Sequence, residues 1–168
     1  MIMAGILGVL ELASLTICMS IYLILFRVPL GITEATGALL GNSIGANNVR
    51  LAKRFALLIV KVSFIFIFFL CALTVFLHEQ ITGFFSDDET VCQMTKPVLI
   101  ILVCGFIFDG MQGVLRGPIL TLGLAPKGSI VALVVWWIIA LPLSALLAFK
   151  LDLGIIGLML GFITAFPV

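Results

Sequence analysis

Charge is what this sequence has least of. Only 10% of its 168 residues are Asp, Glu, Lys or Arg, against about 25% in an ordinary soluble domain. That shortage excludes a soluble enzyme, a nucleic-acid binder and a polar linker. Nine Lys and Arg nearly cancel eight Asp and Glu, so no excess of one sign points to a polyanionic partner. Cysteine is sparse and unpatterned: Cys18, Cys71 and Cys104 stand inside apolar runs and Cys92 beside a polar loop. Without a CxxC or a Cys/His pairing they read as small hydrophobes, not metal ligands. No Gly-rich loop precedes a Lys-Ser/Thr, and no HExxH, nucleophile elbow or triad spacing occurs. Nucleotide hydrolysis and hydrolase chemistry are therefore not expected. The N-terminus lacks the basic flank of a signal peptide and, apart from Glu11, stays uncharged through Phe26, so it reads as a span.

What fills the chain is apolar: 63% hydrophobic residues, with 16 Gly, 6 Pro and 14 Phe. Mean hydropathy is +1.38. At about 20 residues per crossing, this length holds five or six spans of an all-α integral membrane protein, a polytopic helical bundle. Polar residues punctuate five blocks, at about 6–44, 55–77, 97–115, 129–149 and 154–168, the last still apolar where the sequence stops. The first would be ~58 Å long as one helix, so a bend is expected at Pro29 and Gly31. Pro29 and Gly31, Gly45 at its end, and Pro142 inside the fourth block are the expected helix breaks or hinges. Phe64, Phe66, Phe68 and Phe69 load the second block without the alternation that a barrel strand needs. The loop at 45–54 and the one expected at 116–128 hold Arg50, Lys53, Arg54, Arg116 and Lys127, against only Lys96 and Lys150 in the other two. The positive-inside bias places the first pair in the cytoplasm.

Asp109 is the candidate that carries chemistry. A carboxylate inside a span costs about 2.5–3.5 kcal/mol on insertion scales and is functional by default. An oil-like surrounding favours its neutral form, so such a group can take up a proton on one side and release it on the other. When ionised it attracts an organic cation. Gln112, three residues on, shares its face and is placed to bond the carboxyl or a solute. Glu11, near the outer end of the first span, is a second coupling candidate, equally readable as a carboxylate reaching the interface. Glu34 lies ~35 Å further along a straight helix and reads as structural. Lys61 sits less than two turns inside its span and snorkels. Trp136 and Trp137 stand mid-span, where adjacent positions point ~100° apart. One of them can line a cavity for planar cations while the other packs.

Three stretches carry a resemblance. Pro29-Leu30-Gly31 followed by Gly41-Asn42-Ser43-Ile44-Gly45-Ala46-Asn47 and Ala52-Lys53 resembles the "P-x-G … N-x-L-G-A-G … A" pattern of the eukaryotic multidrug and toxic compound extrusion (MATE) transporters. Asp109-Gly110-Met111-Gln112-Gly113-Val114-Leu115-Arg116-Gly117 is similar to that family's "D-x-x-Q-x-V-L-x-G" helix. Gly128, Trp136, Trp137 and Pro142, then Gly154 to Gly161, match its closing segments, with the tryptophans in place of tyrosines. Leu39 stands where the family usually has Arg, and the Arg and Gln of its "R-G-x-G-x-Q" loop have no counterparts in Leu120–Ala125.

The resemblance implies spans eight to twelve of twelve, a partial C-terminal lobe of a two-lobed, inverted-V transporter. It implies a secondary antiporter that exports organic cations or xenobiotics against H+ or Na+, with no cofactor beyond that coupling ion. Its partners would be the bilayer, small amphipathic or cationic solutes and the missing N-terminal lobe. Alternating access needs two lobes, so the chain alone is not expected to transport. Two other readings stand beside this one: a non-transporting membrane fragment, and a lipid-intermediate flippase of the same superfamily. The flippase usually carries several basic cavity residues, whereas only Arg27 and Lys61 are intramembrane here.

Overall fold

The computed structural model describes residues 2–123 and 125–164. Every regular element among them is helical. α1 (Ile2–Leu7) is separated by extended backbone at Gly8 from α2 (Val9–Gly45), which α3 (Val49–Phe76), the short α4 (His78–Phe85) and α5 (Glu89–Thr121) follow. α6 spans 125–150 and alternates α-turns, Ala125–Val134 and Leu141–Ala145, with π-turns, Val135–Ala140 and Leu146–Lys150. α7 (Gly154–Ile163) closes the described part.

Polar residues punctuate the helices by identifiable means. After Gly45, Asn47 takes the left-handed conformation at φ 54°, which Asn tolerates at little cost. Asn48 then caps α3, its Oδ1 accepting from Leu51 N at 3.1 Å. Asp88 caps α5 through Thr90 N at 2.8 Å. Four helices, Val9–Gly45, Val49–Phe76, Glu89–Thr121 and Gly128–Lys150, are long and apolar enough to cross a membrane, and Gly154–Ile163 is a shorter apolar helix.

The contacts set the helix directions. Ser14 meets Thr95, Tyr22 meets Asp109, Thr33 meets Gly113 and Gly37 lies beside Thr121. The pairs ascend together, so α2 and α5 run parallel as the central pair. α3 packs antiparallel across α5, Ile67 against Gly110. The core of Leu15, Cys18, Ile21, Leu99, Leu102, Val103 and Phe106 lies between them, while the Phe-rich face of α3 is exposed, as suits lipid.

Close approach comes from glycine. A Cβ on Gly117 would sit 2.7 Å from the Thr33 carbonyl oxygen, and one on Gly157 2.6 Å from the Leu147 backbone. One on Gly161 would collide with the Ser144 backbone. Small residues at such spacing let membrane helices touch backbone to backbone.

Three expectations are corrected. No helix break falls at Pro29 and Gly31: α2 is continuous there, and the break falls at Gly8. A proline removes a single N–H from the ladder, and the Thr33 hydroxyl lies 2.8 Å from Pro29 O, bracing the turn that follows. The helix of the third span does not stop at Leu115 but runs on to Thr121, taking in Arg116 and Pro118 and shortening the loop. Pro142 does not end its helix. It lies between two π-segments in which Leu141 N–H reaches Trp136 O, five residues back, and so the chain is carried past the missing donor. Residues 165–168, placed in the fifth span from sequence, lie outside the described residues.

Candidate functional site

Asp109 sits in the middle of α5, 4% exposed. Its Oδ2 accepts a 2.6 Å hydrogen bond from the Tyr22 hydroxyl on α2. Oδ1 makes no hydrogen bond among the described residues. The phenol ring is braced on two sides. Phe26, one turn along α2, stacks on it with centroids 5.7 Å apart and planes 20° apart. Phe106, one turn back along α5 and fully buried, meets it edge-on at 5.8 Å and 88°. Gly113 leaves the space that Phe26 occupies: a Cβ there would lie 3.6 Å from the Phe26 ring. Arg116, two turns from Asp109 on the same face of α5, is exposed.

A second polar clip lies toward the far end of the same helix pair. The Thr33 hydroxyl is 2.6 Å from Gly113 O as well as 2.8 Å from Pro29 O. With one proton it donates to one carbonyl at a time. Ser14 and Thr95 make a third clip near the N-terminal ends, at 3.1 Å.

The other candidates fall apart from Asp109. Gln112 is half-buried and makes no hydrogen bond to the carboxyl; the Tyr22 hydroxyl, delivered by the neighbouring helix, takes the oxygen instead. Glu11 lies in the first turn of α2, its carboxylate folded back over Gly8, eleven residues and so ~16 Å along the helix from Tyr22. Trp136 and Trp137 part company. Trp136 lines a groove of about 560 Å³ with Met3, Leu15, Met19, Ser144 and Met159, and packs on Phe162 at 4.8 Å. Trp137 points away, 67% exposed, because adjacent helical positions diverge by about a quarter turn. Asp109 does not line that groove. Gly31 and Gly45 are exposed with open space around them, whereas Pro29 is buried against α5.

Sequence reasoning missed Tyr22. The signal was present, since it is the chain's single tyrosine, and a phenol tip inside a lipid-spanning helix calls for a polar partner. Its partner lies 87 residues away, and that distance hid it.

The site is thus a buried carboxylate gripped by a phenol on a parallel pair of apolar helices. The MatE family pattern matches residues 1–146. The chain belongs to the MatE family. Multidrug and toxin extrusion protein 1 of Oryctolagus cuniculus is 26% identical to this MatE chain over 161 residues, covering 96% of the chain and 28% of the rabbit protein. Protein DETOXIFICATION 17 of Arabidopsis thaliana is 29% identical over 160 residues, covering 95% and 34%. The crystal structure of the eukaryotic MATE transporter AtDTX14 superposes with a TM-score of 0.87 at 24% identity, over 94% of this chain and 35% of that one. The chain thus spans about a third of the proteins it matches, and its all-helical fold is that of part of a MATE transporter, a membrane protein and not an enzyme.

Proposed function

We propose that this chain forms part of the C-terminal lobe of a eukaryotic-type MATE antiporter that exports organic cations in exchange for protons, with Asp109 as the group for which proton and solute compete. The observation that carries the reading is the burial of Asp109 within α5 with, among the described residues, a single hydrogen-bond donor and no countercharge bonded to it. A fixed ion pair would lock the carboxylate in its charged form, whereas a phenol donor leaves it free to take a proton. One negative site contested by H+ and an organic cation produces exchange without further machinery. A phenol donor already occupies one carboxylate oxygen, which suits a proton better than a sodium ion seeking several oxygens. One pH unit supplies ~1.4 kcal/mol, and 100 mV adds ~2.3 kcal/mol per net charge, enough for gradients of tenfold to a few hundredfold.

The basic segments 45–54 and 116–128, each a short turn with the helix ends beside it, face the cytoplasm in this reading, as the charge bias requires. Exchange by alternating access is a property of two lobes rocking about a central site, so the 168 residues alone do not transport.

The test uses the complete two-lobed transporter in liposomes with an imposed pH gradient and a fluorescent organic cation. Asp109→Asn is expected to abolish uphill exchange while expression and insertion persist. Gradient-driven efflux retained in that variant would remove Asp109 from the mechanism.

A further inference from the structure

We propose that Tyr22 is a positioning residue for Asp109: its hydroxyl pins Oδ2 so that Oδ1 is the oxygen that exchanges the proton. The inference rests on the antiport reading of Asp109 and adds a second helix to it. Oδ2 is held by the phenol at 2.6 Å, while Oδ1 is unbonded among the described residues. The phenol is not free to follow a moving carboxyl. Its ring is clamped between Phe26 and Phe106, and Phe26 is seated against Gly113 of α5. Three side chains and one glycine therefore fix a single oxygen. An aspartate with only two side-chain torsions then has one orientation open to it when a proton or cation arrives. Orientation held before the event is what a transfer site needs, because otherwise each cycle has to order the group anew.

The pin also ties the charge state of α5 to α2. An ionised Asp109 only accepts, so the phenol donates. A carboxyl protonated at Oδ1 accepts more weakly at Oδ2, and the clip between the two parallel helices loosens without breaking. Tyr22 is in this way the first group outside Asp109 to respond to its proton.

The experiment compares wild type, Tyr22→Phe, Phe26→Leu and Asp109→Asn in the complete transporter. Infrared difference spectra between acid and alkaline pH report the C=O stretch of protonated Asp109, assigned by its loss in Asp109→Asn. In Tyr22→Phe the band is expected to move to higher wavenumber and broaden, as a carboxyl does on losing a donor. Phe26→Leu, which keeps the hydroxyl but frees the ring, is expected to broaden it with a smaller shift. In liposomes, Tyr22→Phe is expected to lower the maximal exchange rate about tenfold, the weight of one hydrogen bond to a charged group, with the cation KM within about twofold.

A band unmoved in both aromatic variants overturns the proposal, as does a maximal rate equal to wild type. If Asp109→Asn still drives uphill exchange, the antiport reading falls, and the band alone then decides whether Tyr22 holds the carboxyl. Should Tyr22→Phe not fold, the Phe26→Leu spectrum decides in its place.

Discussion

At the scale of residues, burial and exposure separate side chains that look equivalent in a string. Trp136 and Trp137 are neighbours in sequence, yet one packs on Phe162 and the other is largely exposed. Trp136→Ala is expected to lower the thermal midpoint of the purified transporter through loss of a large packed ring, about 3 kcal/mol or more. Trp137→Ala is expected to change it little; equal losses from the two would contradict the placement. Thr33 offers a second residue-scale case. Thr33→Val removes the hydroxyl shared between Pro29 O and Gly113 O. Its cost is expected to be small, about 0.6 kcal/mol, the mean measured for such interhelical bonds in membranes, and equilibrium unfolding in mixed micelles would read it.

The element scale belongs to the glycines. α2 lies against α5, and α7 against α6, at separations that a single methyl group would violate at Gly117, Gly157 and Gly161. Gly117→Ala and Gly161→Ala are each expected to destabilise by about 1–3 kcal/mol through overpacking against backbone, which cannot swing aside as a side chain can. Gly41→Ala, with nothing within 4 Å of the added methyl, is the control, expected to be neutral or stabilising by up to about 1 kcal/mol because alanine favours helix. Thermal unfolding of the three variants side by side measures the difference. Four of the five expected apolar blocks coincide with helices long enough to cross a membrane, and hydropathy made them legible because the bilayer imposes length and apolarity on every spanning helix. Span ends were less so. Arg116 and Pro118 suggested a loop, but a long basic side chain can reach water from within a helix, and proline interrupts a single bond, so α5 runs through both.

For the whole molecule, the chain spans about a third of the length of the MATE transporters it matches, and its predictions concern sidedness and completeness. A single cysteine placed at Asn47 in an otherwise cysteine-free transporter is expected to react with an impermeant maleimide only from the cytoplasmic side, and one at Asp87 only from the opposite side. The reverse pattern would invert the orientation drawn from the basic loops. Liposomes containing only the 168 residues are expected to show no pH-driven cation efflux, whereas the complete protein does; efflux from the short chain alone would contradict the need for two lobes.

Sequence alone determined that this is a polytopic helical membrane protein, that Asp109 is an acidic residue inside an apolar run, and that its Gly, Pro and Asn pattern resembles the MATE transporters. Each of these is a local property, set by apolar length, by a charge out of place, or by backbone-breaking residues at a given spacing. The tertiary structure decided what no local pattern contains: that Tyr22 reaches Asp109 across 87 residues, that Gln112 and Glu11 do not, and that Trp136 and Asp109 occupy different places. Those outcomes depend on the rotation and register of parallel helices packed through glycine. A shift of one residue, about 100° of rotation, would have given the carboxyl another neighbour.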